Sequence, residues 1–420
     1  MPFDRLTIEE ADVACKRVLI RVDFDVSIEC GQVANTEKIV ASVPTIQFAL
    51  EAGAKYVVVA SHMGSPNGQK NCALSLRPVA AALQKELGKE VTFLPDCVGV
   101  EVEAALCKAT KGQVFLLENL RFHIEEEGCG CDKCGHQISA KPEEVNCFKS
   151  QLKKLADIYV NDALSVSASP AASVTNTCFQ IRAAGCSLQK DIEMLSKMTE
   201  CPEKPMVLIV GGKLLAEKVP FILKMIEVVD ELIVTGGPAL TFLKASCGID
   251  IGCSEFDENG AASVQCILDK AASSQVPVTL PDDLVVANQM SDSADICEMK
   301  VQDGVPDGFM ALDVGVRSRK AAKCVLERAG TILWTGVPGM FEMDKFSCGS
   351  RCMMKSVAEA TKRGAFTAVI GHATTALVKS MNMQEDVSFM SMDGGAAMSF
   401  LGGKQLPGVE ALSPKNNNGC

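Results

Sequence analysis

The chain has 420 residues, enough for two domains of ordinary size, each with its own core. Hydrophobic residues make up 47% and charged residues 22%, which excludes a disordered chain, and no apolar run reaches the ~20 residues of a membrane span. A net charge of −11 without a basic tract argues against nucleic acid or an acidic lipid surface as main partner, so any anion site must be built locally.

The N-terminus, MPFDRLTIEE, has no signal-peptide pattern, and a cytoplasmic, monomeric protein is expected. Lys16–Val26 is an apolar strand running into Asp23, Phe24 and Asp25. Lys38–Leu50 has helical spacing, with Pro44 as an irregularity. The strand Lys55–Ala60 ends in the turn residues of Ser61–Gly68, and Pro78–Leu87 is helical. Val91–Leu94 is a strand, Glu101–Lys108 a helix, and Gln113–Leu117 a strand that opens into Glu118–His123. Val145–Leu155 is a helix, and Ile158–Val160 a strand leading to Asn161 and Asp162. Asp23, Asp25, His62, Arg121, Asn161 and Asp162 all follow strands, where an open α/β sheet binds ligands; singly, each also suits a cap or loop hydrogen bond.

Leu188–Lys197 reads as a helix linking two halves. Met206–Val210 is then a buried strand, followed by Gly211-Gly212 and a helix start with Lys213 and Lys218. Such a unit can bring backbone and free N–H groups to a phosphate, and it is also an ordinary βα turn. Further strands are expected at Glu231–Val234, Val278–Leu280, Gly330–Trp334, Phe366–Ile370 and Val387–Met390. Several run into glycines: Gly236-Gly237, Gly336, Gly371 and Gly394-Gly395. That density suggests close backbone approach to a phosphorylated ligand. The alternation implies parallel sheets covered on both faces.

Twenty cysteines are scattered mostly singly, as at Cys15, Cys178, Cys266 and Cys324, and read as reduced, mostly buried small hydrophobes. Cys129, Cys131, Cys134 and His136 form the exception and could ligate zinc, although the spacing is not that of a usual zinc finger. An exposed Gly-rich hairpin tip is the other reading of that stretch. The tail 416–419, Asn-Asn-Asn-Gly, is of low complexity.

RVDFDV at 21–26, SHMGSPNG at 61–68, LLENLRFHIEEEG at 116–128, YVNDA at 159–163, the stretch 210–218, TFLK at 241–244, 334–342 and LPGVEALS at 406–413 together resemble phosphoglycerate kinase, in order and over nearly the whole length. The resemblance implies two Rossmann-like domains, each a parallel sheet covered by helices and joined by a hinge helix. Residues 1–186 with 404–420 would bind the triose acid, and 187–403 magnesium with ATP or ADP. The implied reaction is reversible phosphoryl transfer between 1,3-bisphosphoglycerate and ADP, giving 3-phosphoglycerate and ATP.

By the same resemblance, Asp23, Phe24, Asp25, His62 and Gly64 hold the acid, and Arg121, Lys38 and Lys218 are catalytic. Gly211, Gly212, Gly236, Gly237, Phe341, Glu342, Gly371, Thr375, Gly394 and Gly395 hold the nucleotide. The pattern departs from the family at marked places. Asp25 stands for an asparagine, Lys38 for an arginine and Ser65 for an arginine. Ala168 and Ser169 fall in a run that carries histidines and an arginine in the family, Leu214 replaces a lysine, and Thr374 an acidic residue on the metal side. Losing one cation in a phosphoryl-transfer site costs roughly 10³–10⁵ in rate. A scaffold with weak or absent kinase activity is therefore expected, with an active kinase of altered site as the alternative.

Overall fold

The computed structural model describes residues 3–132 and 134–415, so the asparagine tail lies outside the described residues. Two compact units divide the chain: Met1–Glu193 with Gln405–Cys420, and Met194–Lys404. Among the described residues no helix is long and apolar enough to cross a membrane.

The first unit is built on a six-stranded parallel sheet, in the order Ile181–Ala184, Ile158–Asn161, Arg17–Arg21, Tyr56–Ala60, Gln113–Leu116 and Val91–Phe93. Central strands read as unbroken apolar runs because both faces are covered, and all five residues of Tyr56–Ala60 are buried. Val18, Ile20, Val57, Val59, Val114, Leu116 and Val160 join one core with Ile39 and Ile46 of the helix Glu37–Glu51. Pro44 lies inside that helix, which continues through it despite the missing N–H. The strand expected over Lys16–Val26 ends at Arg21; beyond it the backbone turns to loop bonding, with Phe24 N–H donating to Ser61 Oγ at 2.8 Å. The C-terminal segment closes this unit through Leu6 N–H to the Ser413 carbonyl and Ser413 N–H to that of Arg182, both 2.8 Å.

The second unit has its own six-stranded parallel sheet, in the order Val278–Thr279, Glu231–Val234, Met206–Val210, Thr331–Thr335, Phe366–Ile370 and Phe389–Ser391. Val207, Ile209, Ile332, Trp334 and Val369 anchor its core. Sequence alternation missed a second sheet here, in which Asp283–Ala287 pairs antiparallel with both Ile296–Lys300 and Met310–Val314. Ile296–Lys300 is largely exposed on both faces, so it carries no period-2 signal.

Two further expectations differ from the structure. No helix begins directly at Gly211-Gly212: a 3₁₀ turn, Ala216–Lys218, precedes the helix Val219–Met225, so that helix aims no free N–H at the glycines. The cysteines are not mostly buried: of 19 described, only Cys97 is buried, and Cys15, Cys178, Cys266 and Cys324 are all exposed.

Candidate functional site

In the first unit the expected acid-binding residues collect at the carboxyl ends of three adjacent strands. Register places Arg21 beside Ala60 and Val59 beside Leu116, so the segments leaving those strands emerge side by side. Asp23 Oδ1 accepts the Asp25 N–H at 2.9 Å, a local turn that fixes the loop. Asp23 Oδ2 accepts Lys38 Nζ at 2.8 Å and Ser165 Oγ at 2.7 Å. Burial alone would raise the Asp23 carboxyl, but its interaction with the neighbouring His62 ring, then the charge and hydrogen bond of Lys38, outweigh burial and hold it below its ordinary value. Asp25 Oδ1 accepts the Gly64 N–H at 2.9 Å, so the carboxylate sits on the very turn the family resemblance assigns to the substrate.

Arg121 donates to the Gly64 carbonyl at 2.9 Å and pairs through Nε with Glu127 at 3.1 Å. Its loop is set by Asn119, whose Oδ1 accepts the Arg121 N–H and whose amide nitrogen donates to the carbonyls of Met63 and Leu74. His62 is buried, and burial, followed by the nearby Arg21 charge, pushes its imidazole well below the ordinary value, so the ring is neutral at pH 7. Arg21 itself is buried, bonded to Ser173 Oγ at 2.9 Å with Glu126 3.6 Å away. Ser65, Ala168 and Ser169 are exposed and bring no charge. Among the described residues of this surface, the cations Lys38 and Arg121 are thus each engaged by a carboxylate, and Asp25 adds a third acid.

The second unit holds a cleft of about 580 Å³, the size of an ordinary small-molecule site. Gly212, Gly236, Gly237 and Glu342, all expected from sequence, line it. Leu240, Leu312 and Val337 give it apolar walls, and the antiparallel sheet missed from sequence contributes Leu284 and the stretch Met310–Val314. These apolar residues carried no motif. Helical spacing around Leu240 was the available signal.

The glycines have a cause not anticipated from sequence. A Cβ on Gly336 would meet Gly211 C at 2.3 Å, and one on Gly237 would meet the Lys213 carbonyl oxygen at 2.0 Å. A Cβ on Gly211 would meet the Gly336 oxygen at 2.6 Å. The loops pack on one another backbone to backbone, tied by Gly212 N–H to the Val337 carbonyl at 2.9 Å and Gly237 N–H to that of Gly212 at 2.8 Å. Gly394 likewise abuts Gly371, while Gly395 faces open space. Loop-on-loop packing therefore accounts for most of these glycines without a ligand.

The remaining expected residues divide. Lys218 is half-buried, donates to the Leu214 carbonyl at 2.6 Å, and burial lowers its ammonium below the ordinary value. Lys213 does not sit on a helix; it is exposed and pairs with Glu255 at 3.2 Å. Leu214 is half-buried. Phe341 packs against the core instead of the cleft. Thr374 is fully buried, and its Oγ1 accepts the Gly336 N–H at 2.7 Å, a structural bond that bridges two loops. Thr375 bonds back to Gly371 and His372 at 3.0 Å within its own helix, His372–Ser380. Among the lining residues not expected from sequence, Asp313 is ionisable and 2% exposed, with Oδ2 accepting Gly349 N–H at 2.7 Å and Oδ1 without a partner. Burial raises its carboxyl to about 6.

At the hairpin formed by Cys129–Cys131 and Gln137–Ser139, the donor set differs from the one expected. Asp132, Cys134 and His136 bring their ligand atoms within 4.8 Å of one another, and neither Cys129 nor Cys131 belongs to that group.

Comparison with known proteins matches the scaffold throughout. The family model described as phosphoglycerate kinase matches residues 8–404. The chain is 43% identical over 412 residues to the probable phosphoglycerate kinase of Caenorhabditis elegans, covering 98% of this chain and 99% of that one. It is also 43% identical to the phosphoglycerate kinase of Aplysia californica, covering 98% and 100%. Among solved structures, phosphoglycerate kinase from Coxiella burnetii superposes with a TM-score of 0.82 at 33% identity, covering 97% of this chain and 98% of that one. With matches of this extent in sequence and in three dimensions, the chain belongs to the phosphoglycerate kinase family.

Proposed function

We propose that this chain is a phosphoglycerate kinase-like protein that keeps a nucleotide-type cleft while its acid side lacks the surplus positive charge that phosphoryl transfer needs. On this reading residues 1–186 with 404–420 form the triose-acid-type half and 187–403 the nucleotide-type half. The family reaction passes a phosphoryl group between 1,3-bisphosphoglycerate and ADP, with magnesium entering as part of the nucleotide substrate. Such transfer involves little covalent work by the protein, which positions the partners and aims cations at the charge on the moving oxygens.

The observation that carries this reading is the pairing of both acid-side cations. Lys38 is held by Asp23 and Arg121 by Glu127, with Asp25 seated on the Gly64 turn. His62, neutral by burial, adds no charge. An incoming triose acid must compete with these carboxylates for two cations, and Ser65 and Ser169 supply no others. Turnover is therefore weak or absent, and the protein serves as a binding or regulatory member of the family. On the nucleotide side, Gly212, Gly236, Gly237 and Glu342 stand around the cleft and support retained nucleotide binding.

A second reading, an active glycolytic kinase with an altered site, is favoured by one observation: 43% identity over full length to proteins named phosphoglycerate kinase. A coupled assay with ATP, magnesium and 3-phosphoglycerate separates the two. Turnover in the ordinary enzyme range of roughly 1–10³ s⁻¹ establishes the second and ends the first. Calorimetric titration with ADP and with 3-phosphoglycerate is expected to find the acid the weaker ligand.

A further inference from the structure

We propose that the tip of the hairpin at Asp132, Cys134 and His136 is a surface site for a borderline divalent cation, with zinc the best fit; this is independent of the phosphotransferase reading. The tip is preorganised by its backbone. Asp132 N–H donates to the His136 carbonyl at 2.9 Å, continuing the ladder in which Cys131 faces Gln137. Asp132 Oδ1 then accepts the N–H groups of Cys134 at 2.8 Å and His136 at 2.9 Å. This leaves Asp132 Oδ2 3.1 Å from His136 Nδ1.

The carboxylate oxygen, thiol sulfur and imidazole nitrogen all lie within 4.8 Å of one another. Ligand atoms around tetrahedral zinc sit about 3.3–3.8 Å apart for bonds of about 2.0–2.3 Å, so modest side-chain rotation, with the His136 ring proton on the nitrogen that does not ligate, closes the set. A mixed sulfur, nitrogen and oxygen set suits zinc and disfavours calcium and magnesium, which take oxygen. Cys134 and His136 are exposed, so a hydrated ion can reach them, and water fills the fourth position. The hairpin does not stand alone. Gln69 Nε2 donates to the carbonyls of Cys131 and Asp132 at 2.9 and 2.7 Å, and Cys131 N–H donates to the Asn67 carbonyl at 2.9 Å. The tip is thereby fixed to the loop that carries His62 and Gly64.

A second triplet of possible ligands among the described residues, Asp96, Cys97 and His123, lacks these properties. Lys70 already occupies Asp96 Oδ2 at 2.8 Å, and burial pushes the Cys97 thiol well up, against the thiolate a metal needs.

The test uses full-length, reduced, metal-stripped protein titrated with zinc against a chromogenic chelator, and separately with cobalt(II). One tight zinc equivalent is expected. Cys134→Ser and His136→Gln should each weaken it at least about tenfold, while Cys131→Ser leaves it unchanged. With cobalt, the thiolate-to-metal charge-transfer band should be present in the parent and in Cys131→Ser, and absent in Cys134→Ser. The proposal is overturned if no tight equivalent is found, if it persists in Cys134→Ser and His136→Gln, or if Cys131→Ser removes it. Circular dichroism of each variant verifies that these exposed substitutions leave the fold intact, so that lost binding reports the ligand.

Discussion

Lys38 Nζ stands 2.8 Å from Asp23 Oδ2, and Ser165 Oγ donates to the same oxygen at 2.7 Å, so the one cation on the helix facing this turn is already engaged. Beside it, Asp25 contributes a carboxylate whose Oδ1 accepts the Gly64 N–H. Asp25→Asn keeps that acceptor and removes the charge. Two unit charges near a protein surface interact by ~1 kcal/mol or more, so affinity for 3-phosphoglycerate is expected to rise about fivefold or more. Calorimetry measures it; an unchanged constant would place the Asp25 charge away from the anion.

Charge restoration tests the substituted cation positions of both units, Ser65 and Ser169 in the first and Leu214 in the second. Ser65 and Ser169 are exposed, so arginine fits at either without displacing core residues, and Leu214 is only half-buried. The triple variant Ser65→Arg, Ser169→Arg, Leu214→Lys is expected to raise turnover in the coupled assay by at least about 10²-fold. Single cations carry roughly 10³–10⁵ in rate in such sites, but members of one constellation do not act additively, so single variants should show less. A triple variant as slow as the parent would locate the defect elsewhere.

Loop packing in the second unit makes a contrast between two glycines. Gly336 has φ +82° and its added Cβ would fall 2.3 Å from Gly211 C, whereas Gly395 has nothing within 4 Å. Gly336→Ala must push the two loops apart and strain a left-handed backbone, which should cost about 1–3 kcal/mol of stability and abolish ADP binding. Gly395→Ala should leave melting temperature and ADP affinity alike. Equal effects at both positions would show that the cleft tolerates movement of its loops.

Where burial is two-sided, the sequence was a good guide. Runs such as Met206–Val210 and Tyr56–Ala60 are apolar at nearly every position because helices cover both faces, and the expected and observed strands coincide to within a residue. The antiparallel sheet around Asp283–Ala287 was illegible because its partner Ile296–Lys300 is largely solvent-facing. Motif glycines were legible as positions but not as causes, since Gly211, Gly237 and Gly336 serve contacts between loops far apart in sequence. Cysteine burial is illegible for a related reason: Cys266 and Cys324 occur in the amphipathic helices Val264–Ser273 and Val316–Leu326, where neighbouring apolar letters do not show which face a residue takes. The metal-type cluster needed the hairpin fold, because Asp132 joins Cys134 and His136 only through the backbone bonds of its turn.

Asp162 stands at the head of the helix Cys186–Glu200. Its Oδ1 accepts the Ser187 N–H at 2.9 Å, while Oδ2 is buried without a partner. Burial pushes the carboxyl from 3.8 up to about 7. The folded state therefore keeps a proton that the unfolded chain releases above about pH 4. Between about pH 4 and 7 the native state binds more protons than the unfolded one, so stability falls as pH rises through that window and levels off above it. About three pKa units correspond to roughly 4 kcal/mol as an upper figure. Asp162→Asn is neutral at every pH and retains the acceptor for Ser187. Its melting temperature relative to the parent should rise steadily from pH 4 to pH 7 and stay constant beyond. A difference that does not vary with pH would mean that Asp162 is ionised in the folded protein, with its second oxygen satisfied.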